Sequence, residues 1–166
     1  MASGAFLDPL TLLRVAPLVT STASLVIATD SHIFLSSLIS LRQQRAKVNE
    51  LAPRYFEAFF WKGLPEVLVT FGLSIAFGLT NTYSKPTAAS WAWYAGGSAL
   101  SLVHFAFVPK IMWRVKDAIE AKAEPNGEAS EAIGRWLGVH YVRMALSDFP
   151  AWTCFLVAAL KALKSV

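Results

Sequence analysis

Four apolar runs, each long enough to cross a lipid bilayer, constrain this chain more than any other feature of its sequence. A helix needs about 20 predominantly apolar residues to traverse hydrocarbon, where every backbone donor and acceptor must be satisfied within the segment itself. Such runs fall at residues 13–41, 57–79, 91–113 and 133–160. Charged residues are 16% of the chain and hydrophobic ones 55%, against roughly 25% charge in a soluble domain. The expected fold is therefore all-α, a single integral membrane domain built as a four-helix transmembrane bundle running up-down-up-down. Arg14 comes too late, and the run after it continues too far, for a removable signal peptide, so this run is read as the first span.

The connections carry the cations. Arg42, Arg45, Lys47 and Arg54 face only Glu50 in the first, and Lys110, Arg114, Lys116, Lys122 and Arg135 flank the third. The opposite side has Lys85, Lys161 and Lys164, with Arg14 at the membrane edge. Cytosolic loops collect Lys and Arg, which predicts that 42–54 and 115–132 are cytosolic loops and both termini lumenal or external, in an endomembrane. The same clustering turns the net charge of +4 into a topology signal and argues against nucleic acid as partner. A lone Cys154 excludes an internal disulfide and reads as packing.

Within the spans, Lys62 and Glu66 are four apart, a spacing that permits an ion pair, and Pro65 is expected to bend its helix if the helix has begun by Tyr55. Gly96, Gly97 and Ser98 permit close helix approach, and the Gly96–Gly97 face is a candidate surface for homo-oligomers. Trp136, His140 and Arg143 follow helical spacing, so His140 and Arg143 look the same way. Asp148, five residues on and just before Pro150, is expected to be structural.

At about 1.5 Å per residue, His32, His104 and His140 each lie roughly 10–15 Å inside the cytosolic end, with Asp30, Glu66 and Arg143 in the same slab. An ionisable group in hydrocarbon costs about 2.5–3.5 kcal/mol on insertion scales and marks function by default. The convergence predicts a polar cavity shared by the four helices.

Trp136, His140 and Arg143 in the last span, Phe60-Trp61-Lys62-Gly63 with Pro65 in the second, and Val108-Pro109 ending the third carry a resemblance. The chain resembles the family of small four-span membrane proteins that includes the fungal anthrone oxygenases. The resemblance implies a monooxygenase of polyketide secondary metabolism, oxidising an anthrone-like phenolic to a quinone with O2 as cosubstrate. A flat, hydrophobic aromatic small molecule entering from membrane lipid would lie against Trp61, Phe60, Tyr141, Phe105 and Trp136. His140 is the expected base and Arg143 the group that stabilises negative charge, with His32, His104, Glu66 and Asp30 orienting or relaying protons. The alternative use of the three histidines is a copper or iron site, since imidazole suits both metals. The alternative to catalysis is an accessory or scaffold protein whose buried polar groups are interhelical contacts. No nucleotide-binding glycine motif and no serine nucleophile elbow supports hydride transfer or hydrolysis.

Overall fold

The computed structural model describes residues 8–163, so Lys164 lies outside the described residues. Helix α1 spans Pro9–Ile39, α2 Arg45–Ser84, α3 Trp91–Ala106, α4 Val108–Ile119, α5 Ala129–Arg143 and α6 Phe149–Leu163. A short 3-10 turn, Arg42–Gln44, precedes α2, and a π-helical turn, Met144–Asp148, joins α5 to α6. The six helices form four rods, each long and apolar enough to cross a membrane. They pack as an all-α bundle: Leu13 meets Asn81 and Thr20 meets Ser74, so α1 and α2 are antiparallel. Gly97 lies against Phe155 and His104 meets Asp148, so the last two rods are antiparallel as well.

Local chemistry accounts for the rod ends. Asp8 caps α1 by accepting from Leu10 N at 3.2 Å and Thr11 N at 3.0 Å, and the Thr11 hydroxyl, then these amides, hold its carboxyl below the usual range. Proline at the start of α4 replaces a donor with no intrahelical partner, so Pro109 is accommodated where α3 passes into α4. Pro53 and Pro65 lie inside α2, which remains helical through both.

The bundle has two different ends. Leu35, Val48, Ala52, Phe56, Ile111, Val115, Ala118, Ala129, Ile133 and Trp136 form one core, built by α1, α2, α4 and α5. Tyr94, Phe155, Ala158 and Ala162 form the other, with Leu18 against it. The first core corrects the expected loops. Residues 45–54 are helix, because Val48, Asn49, Ala52 and Pro53 are buried on one face while Arg45, Lys47, Glu50 and Arg54 are exposed on the other. That is the amphipathic pattern of a helix packed in water on one side. Likewise α4 continues to Ile119 and α5 begins at Ala129, leaving a connection shorter than 115–132. The side chain of Asn49 holds it by donating to the Pro125 carbonyl and accepting from Ser130 N and Oγ at the start of α5.

Lipid-facing surfaces without charge define the hydrocarbon belt. From Arg14 to Asp30 along α1 is roughly 24 Å, from Lys85 to Glu66 along α2 roughly 28 Å, and from Trp91 to Lys110 along α3 and α4 roughly 28 Å, at the helical rise of 1.5 Å per residue. These lengths match a hydrocarbon core of about 30 Å. Asp30, Lys62, Glu66 and Lys110 are all exposed, and the belt places them at its rim, at headgroup level. Lys62 and Glu66 are not ion-paired with each other; among the described residues the pairs are Arg45–Glu131, His104–Asp148, Arg114–Asp117, Lys116–Glu120 and Arg143–Asp148. In water both ends of such a surface pair are well solvated and gain little by meeting.

At the other end, small residues let three helices meet. A Cβ added at Gly97 would lie 2.6 Å from the Phe155 ring, and one at Gly78 2.8 Å from the same ring. Gly97 is thus used within the chain, while Gly96 is half-buried near Cys154 Sγ. Gly97→Ala forces the buried Phe155 to shift, and overpacking of this kind costs about 1–3 kcal/mol. The expected result is a lower thermal midpoint in detergent, with a larger fall for Gly97→Val; an unchanged midpoint for both would contradict the packing.

Candidate functional site

The site grows from a helix irregularity. Pro150 has no N–H and its ring crowds the carbonyl four residues earlier, so an α-helix cannot continue normally through it. The backbone widens instead: Phe149 N–H bonds to Met144 O, five residues back. In an α-helix, residues five apart point about 140° away from each other at 100° per residue. A π turn closes its hydrogen bond at i to i+5, which brings Asp148 around onto the face of Arg143. Arg143 Nε donates to Asp148 Oδ2 at 3.4 Å.

Four side chains then form a continuous hydrogen-bonded chain. Arg143 Nη2 donates to His140 Nδ1 at 2.9 Å. A guanidinium has donors only, so Nδ1 is the acceptor and His140 Nε2–H donates to the Ala28 carbonyl of α1 at 2.9 Å. Both ring nitrogens of His140 are therefore occupied. On the other side of Asp148, His104 Nδ1 donates to Oδ1 at 2.9 Å, and among the described residues no hydrogen bond engages His104 Nε2. Asp148 and His104 are each 3% exposed, and His140 and Arg143 are buried with them. A carboxylate that fixes the Nδ1–H tautomer leaves the lone pair of the opposite nitrogen available, the orienting role a carboxylate plays for a catalytic histidine.

This chain forms part of the wall of a largely apolar cavity of about 370 Å³ under α2. His104, His140 and Arg143 line it with Trp136, and Phe60, Phe71 and Phe105 supply aromatic surface. The Phe71 and His104 ring centroids are 3.7 Å apart, and Trp136 stacks on His140 at 4.7 Å with an 18° interplanar angle. Trp136 Nε1 is buried with no hydrogen-bond partner among the described residues, an uncompensated donor on a residue that lines the cavity. Gly63 also borders the cavity, and a Cβ there would meet nothing within 4 Å.

Of the residues singled out by sequence, the structure brings together His104, His140 and Arg143, with Phe60, Phe105 and Trp136 on the same cavity. Asp30 and Glu66 do not reach this network; both are exposed on the outer surface of the bundle and form no ion pair among the described residues. Trp61 and Tyr141 are 53% and 63% exposed and do not line the cavity. His32 is half-buried, 6.1 Å from the Tyr141 ring between centroids, and its Nδ1 has no hydrogen-bond partner among the described residues. Asp148, expected to be structural, joins the two halves of the site, and Phe71 was not anticipated. The proline two residues after Asp148 is the signal that reveals it: a proline within an apolar helical run raises the prospect of a π turn. As for a metal, among the described residues no three His, Cys, Asp or Glu side chains are grouped to hold an ion. Both ring nitrogens of His140 are already engaged, by Arg143 and by the Ala28 carbonyl, so His140 offers no free donor with which the three histidines could share one centre.

Fold and site together define a small multi-pass membrane protein with a buried acid–base network beside an apolar cavity. The chain is 32% identical over 159 residues to "Probable epoxidase scpX" of Mollisia scopiformis, an alignment covering 92% of this chain and 96% of that protein. It is 30% identical over 161 residues to "Epoxidase pydX" of Acremonium sp and over 160 residues to "Epoxidase gkaX" of Penicillium citrinum, each covering 93% of this chain and 96% of the relative. The chain belongs to the family of these epoxidase-named proteins. No family model matches it, and no solved structure matches it.

Proposed function

We propose that this chain is a membrane-embedded oxidative enzyme of secondary metabolism that adds oxygen to an apolar, unsaturated small molecule held in the cavity beneath α2. The observation that carries this reading is the His140–Arg143–Asp148–His104 chain on the cavity wall, with one imidazole nitrogen uncommitted. Four buried polar side chains are costly in this setting unless fully engaged, and a free lone pair beside an apolar chamber suits proton transfer.

In this reading Phe60, Phe71, Phe105 and Trp136 hold the planar or polyene body of the substrate. His104 Nε2 accepts or returns a proton, and Arg143 faces oxygen as it becomes negative. Both roles are needed in either of two reactions. The names of the relatives favour epoxidation of a carbon–carbon double bond. With O2 that reaction places one oxygen atom in the ring and reduces the other to water, taking up two protons and two electrons, the electrons from a reduced donor outside the chain. The second reading, the oxidation of an anthrone-like CH2 to a carbonyl, is favoured by the oriented His104. Proton removal from the CH2 gives an electron-rich carbanion, and CH2 plus O2 balances as C=O plus water with no further reductant. No step is routed through a metal, because the histidines present do not converge on one.

The test uses membranes containing the full chain under 18O2, supplied separately with a polyene and with an anthrone. An epoxide carrying one heavy atom supports the first reaction, and a quinone with its characteristic absorbance the second. Neither product, with a correctly folded chain and a reduced donor present, would favour the accessory or scaffold alternative.

A further inference from the structure

A second concavity lies on the opposite side of α5 from the Ala28 contact side, between α4 and α5. It measures about 300 Å³ and is lined by Phe107, Lys110, Arg114, Arg135, Gly138, Val139 and Val142. Phe107, Lys110 and Arg114 follow one another at helical spacing, as do Arg135, Gly138 or Val139, and Val142, so each set forms one stripe facing the groove. Depth orders both stripes in the same way. Along the third rod the sequence toward the membrane centre is Arg114, Lys110, Phe107; along α5 it is Arg135, Val139, Val142. Three cations thus stand at the headgroup end and the apolar residues extend into the hydrocarbon belt.

Among the described residues, none that lines the groove is acidic. Arg114 is paired with Asp117 at 3.0 Å, whereas Lys110 and Arg135 have no ion pair among the described residues. Gly138 keeps the floor open, since a Cβ added there would meet nothing within 4 Å. An occupant must be anionic at one end and apolar at the other, with the two ends ordered along the membrane normal. We propose that the α4–α5 groove binds one anionic phospholipid, its phosphate held by Lys110, Arg114 and Arg135 and its acyl chain laid against Phe107, Val139 and Val142. Charge complementarity selects the headgroup, and the apolar floor selects a lipid over a free phosphate ester. Basic pockets between membrane helices bind anionic headgroups for the same reason.

The experiment is native mass spectrometry of the purified full chain in neutral detergent. Phosphatidylserine and phosphatidylcholine with identical acyl chains are titrated in parallel, and glycerophosphoserine is added as the headgroup without chains. Phosphatidylserine is expected to be retained about tenfold more tightly, as two uncompensated cations near a charged headgroup imply, and glycerophosphoserine is not expected to displace it. Lys110→Gln/Arg135→Gln should abolish the preference, Gly138→Phe should reduce retention of both lipids by filling the floor, and Arg42→Gln should leave the preference intact. Equal retention of the two lipids by the unaltered chain would overturn the proposal. So would displacement by glycerophosphoserine alone, or an equal loss of preference in Arg42→Gln, which would reduce the effect to general surface charge. The comparison of the two lipids on the unaltered chain decides the matter even where a variant does not fold.

Discussion

His104→Gln is expected to lower oxidative turnover by about 10²–10⁴-fold, the usual contribution of a positioned acid–base group, while the chain still inserts and keeps its thermal midpoint within a few degrees. Gln retains a donor for Asp148 and fills most of the space beside Phe71, so packing and the carboxylate's hydrogen bond survive while the basic lone pair is lost. The comparison that gives this result its meaning is His140→Gln. Both His140 nitrogens are engaged, one by Arg143 and the other by the Ala28 carbonyl, so that substitution should reduce stability and shift the guanidinium, with a smaller and less specific fall in turnover. The measurement is product formation per folded protein, with kcat and KM separated. If His104→Gln turns over normally and His140→Gln does not, the base is His140 and the hydrogen-bonding assignment is wrong.

Asp148→Ala is expected to be the most damaging single substitution for stability. It removes the carboxylate that pairs with Arg143 and leaves a guanidinium buried beside an apolar cavity, a change that typically costs about 3–5 kcal/mol. His104 loses its orienting partner at the same time, so turnover should fall even in the fraction that remains folded. A double replacement separates the two effects. Arg143→Met with Asp148→Leu removes both charges and fills the volume, and swaps of that kind are often neutral or stabilising. The double variant should therefore recover much of the thermal midpoint in detergent and remain inactive. Recovery of both stability and turnover would mean that Arg143 and Asp148 serve only to hold the helices together and that the chemistry is done by other groups.

The two expectations differ in how far they could have been anticipated. His104, His140 and Arg143 stand out in the sequence because ionisable groups within apolar runs are costly, and counting the helical rise from the cationic ends puts them at one height. The same count put Asp30 and Glu66 at that height, and there it fails. Depth along a helix is legible, but the direction of a side chain around the helix depends on the neighbouring rods. Both carboxylates are exposed at the rim, where the desolvation argument does not apply. Trp61 and Tyr141 fail as cavity residues for the same reason, since an apolar aromatic is equally at home facing lipid.

The sequence by itself determined that four rods cross the membrane, that they are helices, and how far apart their charged rims lie, because hydrocarbon imposes those requirements on each segment separately. Only the tertiary structure decided which polar groups meet. Pro150 changes the helical phase by a fraction of a turn, and that rotation carries Asp148 from a face of no consequence into contact with Arg143 and, across the bundle, with His104. A shift of phase leaves composition and hydropathy untouched; Pro150 marks where it occurs, but which groups the rotation brings together is set by the neighbouring rods.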